Sequence, residues 1–189
     1  MRKQHAVPLA ALLVVAMAAC DERTVTDPEN APAPQHAVSL ETNLPPISAE
    51  PLMGRHEFTD DVAMQVRVKP QNRSQTVVNM QDASNVAALR IVVQPGARFP
   101  WHTHPGLVVV SIAEGELVYV YADDCVERPY PAGTAFIDPG DNVHYAFNPT
   151  GGETVLVATF FGVPADGPLT LPVDAAREAA LNEQCGVSP

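Results

Sequence analysis

Three histidines form the one constellation in this chain with the makings of a reactive centre. His102 and His104 flank Thr103, and His144 follows further along. Residues two apart on a strand project to the same face, so the rings of 102 and 104 would be neighbours able to share one metal ion. A third imidazole from another strand, His144, would complete a facial set and leave coordination positions for water or substrate. A lone histidine is ordinarily a surface or hydrogen-bonding residue. Five histidines follow residue 19, and two of them, His36 and His56, have no ligand spacing. The other three lie among turn glycines, Gly96, Gly115 and Gly133. Each ligand would have to be neutral, so occupancy should fall below the ~6.5 reference pKa of histidine. Nothing in the chain resembles a Ser-His-Asp triad, a phosphate-binding glycine loop or a basic stacking groove.

The elements that must carry these rings read as strands. Candidate runs are Val62 to Val68, Thr76 to Met80, Val86 to Val93, Leu107 to Ile112, Leu117 to Tyr121, Thr134 to Ile137, Val143 to Phe147 and Thr154 to Phe161. Gly, Pro, Asp or Asn bounds them, and Glu114-Gly115 makes a hairpin turn. Nineteen prolines in 189 residues argue against long helices. Short strands at regular spacing predict an all-β sandwich or barrel. One helix is expected, Val173 to Asn182, with Asp174 near its start and Gly186 beyond its end.

The two histidine clusters resemble the paired motifs of the cupin family. Gly96, His102, His104 and Gly115 fall at the family's first-motif positions; Gly133, Pro139, His144 and Asn148 fall at its second. The resemblance covers about residues 85–163. It implies a single double-stranded β-helix, a jelly-roll barrel, with a metal in its mouth held by His102, His104 and His144, and the C-terminal helix appended. Two departures stand out. The family's Glu would fall at 108, which is Val, and Pro-x-Gly is replaced by Pro139-Gly140-Asp141. The second reads as a turn variant. The first leaves a His-only site with charge near +2, which would favour an anionic small molecule. Glu114 and Glu116 sit at a turn and offer no replacement, so no acid/base group is assignable beside the histidines. Trp101 points away from His102 by parity and reads as packing. Tyr119 and Tyr121 share a face that packs or lines a pocket, and Asn148 serves either the metal or a turn.

The first nineteen residues read as an export signal. Arg2 and Lys3 precede an apolar stretch from Ala6 to Ala19, too short to span a bilayer. Met17-Ala18-Ala19-Cys20 resembles a bacterial lipobox, which implies cleavage before Cys20 and acylation of its thiol; the alternative is an ordinary secretory signal cut nearby. Residues 20–57 read as a lipidated cysteine and a Pro-rich tether, and 58–189 as the folded domain. In an oxidising compartment the two remaining thiols, Cys125 and Cys185, are expected to pair.

Composition narrows the partners. The chain has 11 basic and 22 acidic residues, net −11. Loss of Arg2 and Lys3 with the signal leaves nine basic residues, net −13. Without a Lys/Arg cluster, nucleic acid is excluded as a partner, and the membrane is reached only through the lipid anchor. A homodimer is left open. Outside the cytoplasm Fe(II) oxidises readily, so the expected divalent ion is Zn, with Cu, Mn, Ni or Fe as alternatives. Two functional classes follow. One is an exported metal-binding cupin that performs oxidation or another metal-assisted reaction on a small molecule. The other is a non-catalytic module that captures a small molecule or metal at the cell surface, periplasmic or external.

Overall fold

In the computed structural model, residues 45–188 are described. The expected signal, Cys20 and most of the expected tether lie outside the described residues. Eight strands fall where apolar periodicity predicts them or within a few residues. They include β2 (Met64–Val68), β3 (Thr76–Met80), β4 (Asn85–Val93), β6 (Val108–Glu114) and β7 (Glu116–Tyr121). The others are β9 (Ala135–Asp138), β10 (His144–Phe147) and β11 (Thr154–Phe161). Four further strands carry prolines or polar residues that masked them: β1 (Ile47–Glu57), β5 (Arg98–Thr103), β8 (Glu127–Pro131) and β12 (Leu171–Pro172).

β1 corrects the expected domain boundary. Residues 47–57, expected in the tether, pair antiparallel with β4 from Ile47↔Val93 to Glu57↔Asn85. The strand lies at a sheet edge, and most of its side chains are exposed. Its backbone hydrogen bonds attach it, with Ile47 packed against the core at one end. The register slips after Pro51, which an edge tolerates because one side of the strand needs no partner. β8 explains itself the same way. It closes the other sheet, with Pro129 and Pro131 exposed while Arg128 and Tyr130, which alternate with them, are buried.

Two five-stranded sheets, β1-β4-β11-β6-β9 and β12-β5-β10-β7-β8, enclose one apolar core, and β2-β3 forms a separate hairpin. From β4 to β7 the chain alternates between the two sheets at every connection, and from β9 to β11 it does so again. That winding is the double-stranded β-helix, the jelly-roll architecture. Ile91, Val110, Leu117, Leu156 and Phe160 meet in the core. A second cluster lies on the outer face of the second sheet, where Trp101, Val118, Val120 and Tyr145 receive Leu181 of helix α1 (Ala175–Cys185).

The helix begins where its signals predicted. The Asp174 side chain accepts from the Arg177 amide, and Gly186 ends the helix in the left-handed region at φ 65°. Trp101 Nε1 donates to Asn182 Oδ1 at 2.8 Å, so Trp101 is packing, as parity implied. Cys125 and Cys185 form a disulfide between the β7–β8 turn and the helix end. Beside it, buried Arg128 forks onto Asp124 and donates to the carbonyls of Gln71 and Val126. These bonds tie the loop of the separate hairpin to the barrel.

Candidate metal centre

Strand pairing assembles the three histidines. β10 lies between β5 and β7, and in its register His144 stands directly opposite His102. His104 is the first residue past β5, so the pair shares a face although only one member is within the strand. The rings of His102 and His144 are 4.2 Å apart, and the ligand-capable nitrogens of all three lie within 4.8 Å of one another. Their exposures are 5%, 8% and 2%, so all three are buried.

Each ring is oriented by a backbone carbonyl. Nδ1 of His102 faces the Pro100 oxygen at 2.6 Å, that of His104 the Leu169 oxygen at 2.8 Å, and that of His144 the Asn142 oxygen at 2.9 Å. A carbonyl only accepts, so each Nδ1 carries the proton and each Nε2 presents a lone pair. That is the tautomer and the outer bonding of metal-bound histidine. Burial, followed by the neighbouring imidazole, pushes both His102 and His144 down to about 3. His104 is lowered too, by burial first, with Asp138 opposing. All three are neutral at physiological pH, as ligands must be.

Asp138 is the residue that sequence reasoning missed. It ends β9, is 1% exposed, and stands opposite Val108 in the β6–β9 register. Its Oδ1 accepts from the Gly140 amide at 2.8 Å, while Oδ2 lies 3.3 Å from His144 Nε2 and 3.5 Å from His104 Nε2. Oδ2 has no hydrogen-bond partner among the described residues. Burial raises its pKa to about 6 against the pull of His104 and the Gly140 amide. The expectation that no carboxylate stands beside the histidines is therefore corrected. A signal was available: Phe136 and Asp138 share parity in the run Ala135-Phe136-Ile137-Asp138, so an inward Phe carries the Asp inward with it.

The centre opens into a cavity of about 190 Å³ lined mainly by apolar side chains, among them Leu89, Ile91, Phe99, Val110, Phe136 and Phe160. Among the described residues no Lys or Arg lines it. Tyr119 stacks on His144 with centroids 4.5 Å apart, so it lines the pocket, whereas its neighbour Tyr121 packs under the Arg73 guanidinium. Burial and then Asp138 push the Tyr119 hydroxyl well above its ordinary pKa. Asn148 has the turn role: its Nδ2 donates to the carbonyls of Val93 and Gly152, and its Oδ1 accepts from Thr150.

Two glycines fix the segment that follows His104. A methyl on Gly106 would overlap the Phe161 carbonyl oxygen, and one on Gly140 would fall 2.9 Å from the Gly106 oxygen. Three backbones thus approach as closely as atoms allow. Gly140 also has φ 102°, which explains why the turn after Asp138 takes Gly one place early.

Residues 89–160 match the cupin domain family. No curated protein matches the chain. Among solved structures, the polyketide cyclase RemF from Streptomyces resistomycificus is 17% identical over 52% of this chain and 68% of its own, with TM-score 0.43. A cupin-like protein from Thermotoga maritima is 22% identical over 55% of this chain and 75% of its own, with TM-score 0.42. An oxalate oxidase is 22% identical with TM-score 0.40; the match takes in 55% of this chain but only 65% of the oxidase. The matched stretch runs from β4 into β11 and contains all three histidines and Asp138, and the strands that carry it wind as a double-stranded β-helix.

Proposed function

We propose that this chain is an exported metal-binding cupin-domain protein. In this reading His102, His104 and His144 hold one divalent ion, Zn in preference to Cu, Mn, Ni or Fe. The cavity beside it takes a small molecule for oxidation or another metal-assisted reaction. The observation that carries this is the locking of three buried imidazoles by carbonyl acceptors, with their free nitrogens on one point of the cavity wall. An ion bound there would act as a Lewis acid toward an oxygen of the ligand.

The chain's own residues supply the rest. The apolar lining admits a molecule with a mostly hydrocarbon body and excludes bulk water from it. Because no lysine or arginine among the described residues lines the cavity, an anionic head would meet the metal itself. Tyr119 and Asp138 are the ionisable groups beside the histidines in the cavity wall. The oxidising compartment is supported by the Cys125–Cys185 disulfide, a bond that persists outside the reducing cytosol.

Elemental analysis of the domain, purified without histidine tags, should find one divalent ion per chain. Replacing His144 by Ala should weaken binding by orders of magnitude and leave the far-UV circular dichroism unchanged. Wild-type protein that takes up no ion refutes the reading. Ligand-dependent oxygen uptake by the loaded protein would separate an oxidase from a capture module.

A further inference from the structure

We infer that Asp138 is the fourth protein ligand of the metal, its carboxylate supplied by the strand beside the one on which the cupin resemblance expects a glutamate. This rests on the metal-binding reading above. Val108 occupies the expected position on β6 and Asp138 is its direct partner on β9. Directly opposed residues of an antiparallel pair project to the same face, and both line the cavity. The carboxylate has moved one strand across, not been lost.

The local chemistry favours a shared cation between Oδ2 and the histidines. His104 and His144 each use the Nδ1 proton on a carbonyl, so their Nε2 atoms carry lone pairs. Oδ2 faces those lone pairs at 3.5 and 3.3 Å and receives no hydrogen bond of good geometry from any described residue, the nearby Tyr119 hydroxyl included. Acceptors turned on one another in a buried site repel, and a shared cation removes the repulsion. The spacing suits one. Ligands about 2.1 Å from a tetrahedral ion are ~3.4 Å from each other. Oδ1 is held meanwhile by the Gly140 amide, which aims Oδ2 inward. A site of three neutral imidazoles and one carboxylate carries a net charge near +1, not +2.

Metal-free protein titrated with Co(II) at neutral pH, against a chromophoric chelator, gives both affinity and the visible ligand-field spectrum. Asp138→Asn keeps the Oδ1 acceptor for Gly140, so the turn survives. It should weaken binding at least ~100-fold, beyond the ~10–100-fold typical of losing an outer partner, and should shift the Co(II) bands. Adding Val108→Glu to that variant should restore binding to within about tenfold, because it returns a carboxylate from the paired position. Wild-type affinity in Asp138→Asn, or weakened binding with unchanged bands, overturns the ligand role and leaves the three-histidine site standing. Failure of the wild type to bind Co(II) sinks both.

Discussion

At the scale of single residues, burial sets the pH behaviour of the centre. His102 and His144 are held near 3 in the fold but titrate near 6.5 in an unfolded chain. Between those values the unfolded state binds more protons, so their contribution is present above about pH 6.5 and is lost as pH falls toward 3. Asp138, raised to about 6, works in the opposite direction: between ~4 and 6 the folded state holds its proton and the unfolded state does not. Two histidine protons outweigh one carboxyl proton, and the lowered His104 adds to them. The metal-free domain should therefore lose roughly 2 kcal/mol of stability per pH unit between about pH 6 and 4. Urea unfolding at several pH values in chelator reads this directly; a flat profile would show the rings already protonated in the fold. The same burial shifts proton competition for a bound ion to below the pH 6.5 expected from free histidine. The three histidines were legible as types and spacing. Their depressed pKa values were not, because those depend on enclosure that no local pattern encodes.

At the scale of elements, the sequence was readable where side chains decide and silent where backbone does. β11 and β3 run as their apolar patterns predict, and α1 starts at its Asp174 cap. β1 and β8 stayed hidden because edge strands hold on by main-chain bonds and accept Pro51, Pro129 and Pro131. The site was similarly half visible: parity puts 102 and 104 together and turns Asp138 inward with Phe136, but only the register of β6 with β9 sets Asp138 opposite residue 108. Helix α1 illustrates how attachments share a load. It buries one leucine, Leu181, and makes the Trp101–Asn182 bond, together worth a few kcal/mol. The disulfide closes a separation of 60 residues and adds ~2–4 kcal/mol. Replacing Cys125 and Cys185 by Ser should lower the unfolding free energy by about that amount and speed amide exchange first in α1. Under denaturing alkylation the unreduced wild-type domain should add no label at either position; two labels would show free thiols.

At the scale of the whole molecule, the described fold starts at β1, so the segment between Cys20 and the barrel is shorter than composition suggested. Pro-rich, polar residues alone gave no sign that those from 47 onward would find a partner in β4. Lipid anchoring is a proposal on residues outside the described fold, and it has a simple readout. Cys20→Ser should move the protein from the membrane fraction to the soluble exported fraction while leaving metal content unchanged. Persistent membrane attachment would rule out the anchor. No helix among the described residues is long and apolar enough to cross a bilayer, so nothing in the described fold offers a helical span in its place.

The close backbone contacts at Gly106 and Gly140 bear on how an ion would arrive. The segment after His104 is wedged against Phe161 on one side and the Asp138 turn on the other, and all three imidazoles are already hydrogen-bonded in their ligand orientation. Little chain entropy remains to be surrendered when the coordination sphere forms. Capture should then be a single encounter, its speed set by dehydration of the ion and its passage through the mouth, with no slower ordering step behind it. Such rigidity also fixes the spacing of the donors, so cations of different radius are distinguished by fit to a preset frame instead of by a frame that contracts around each.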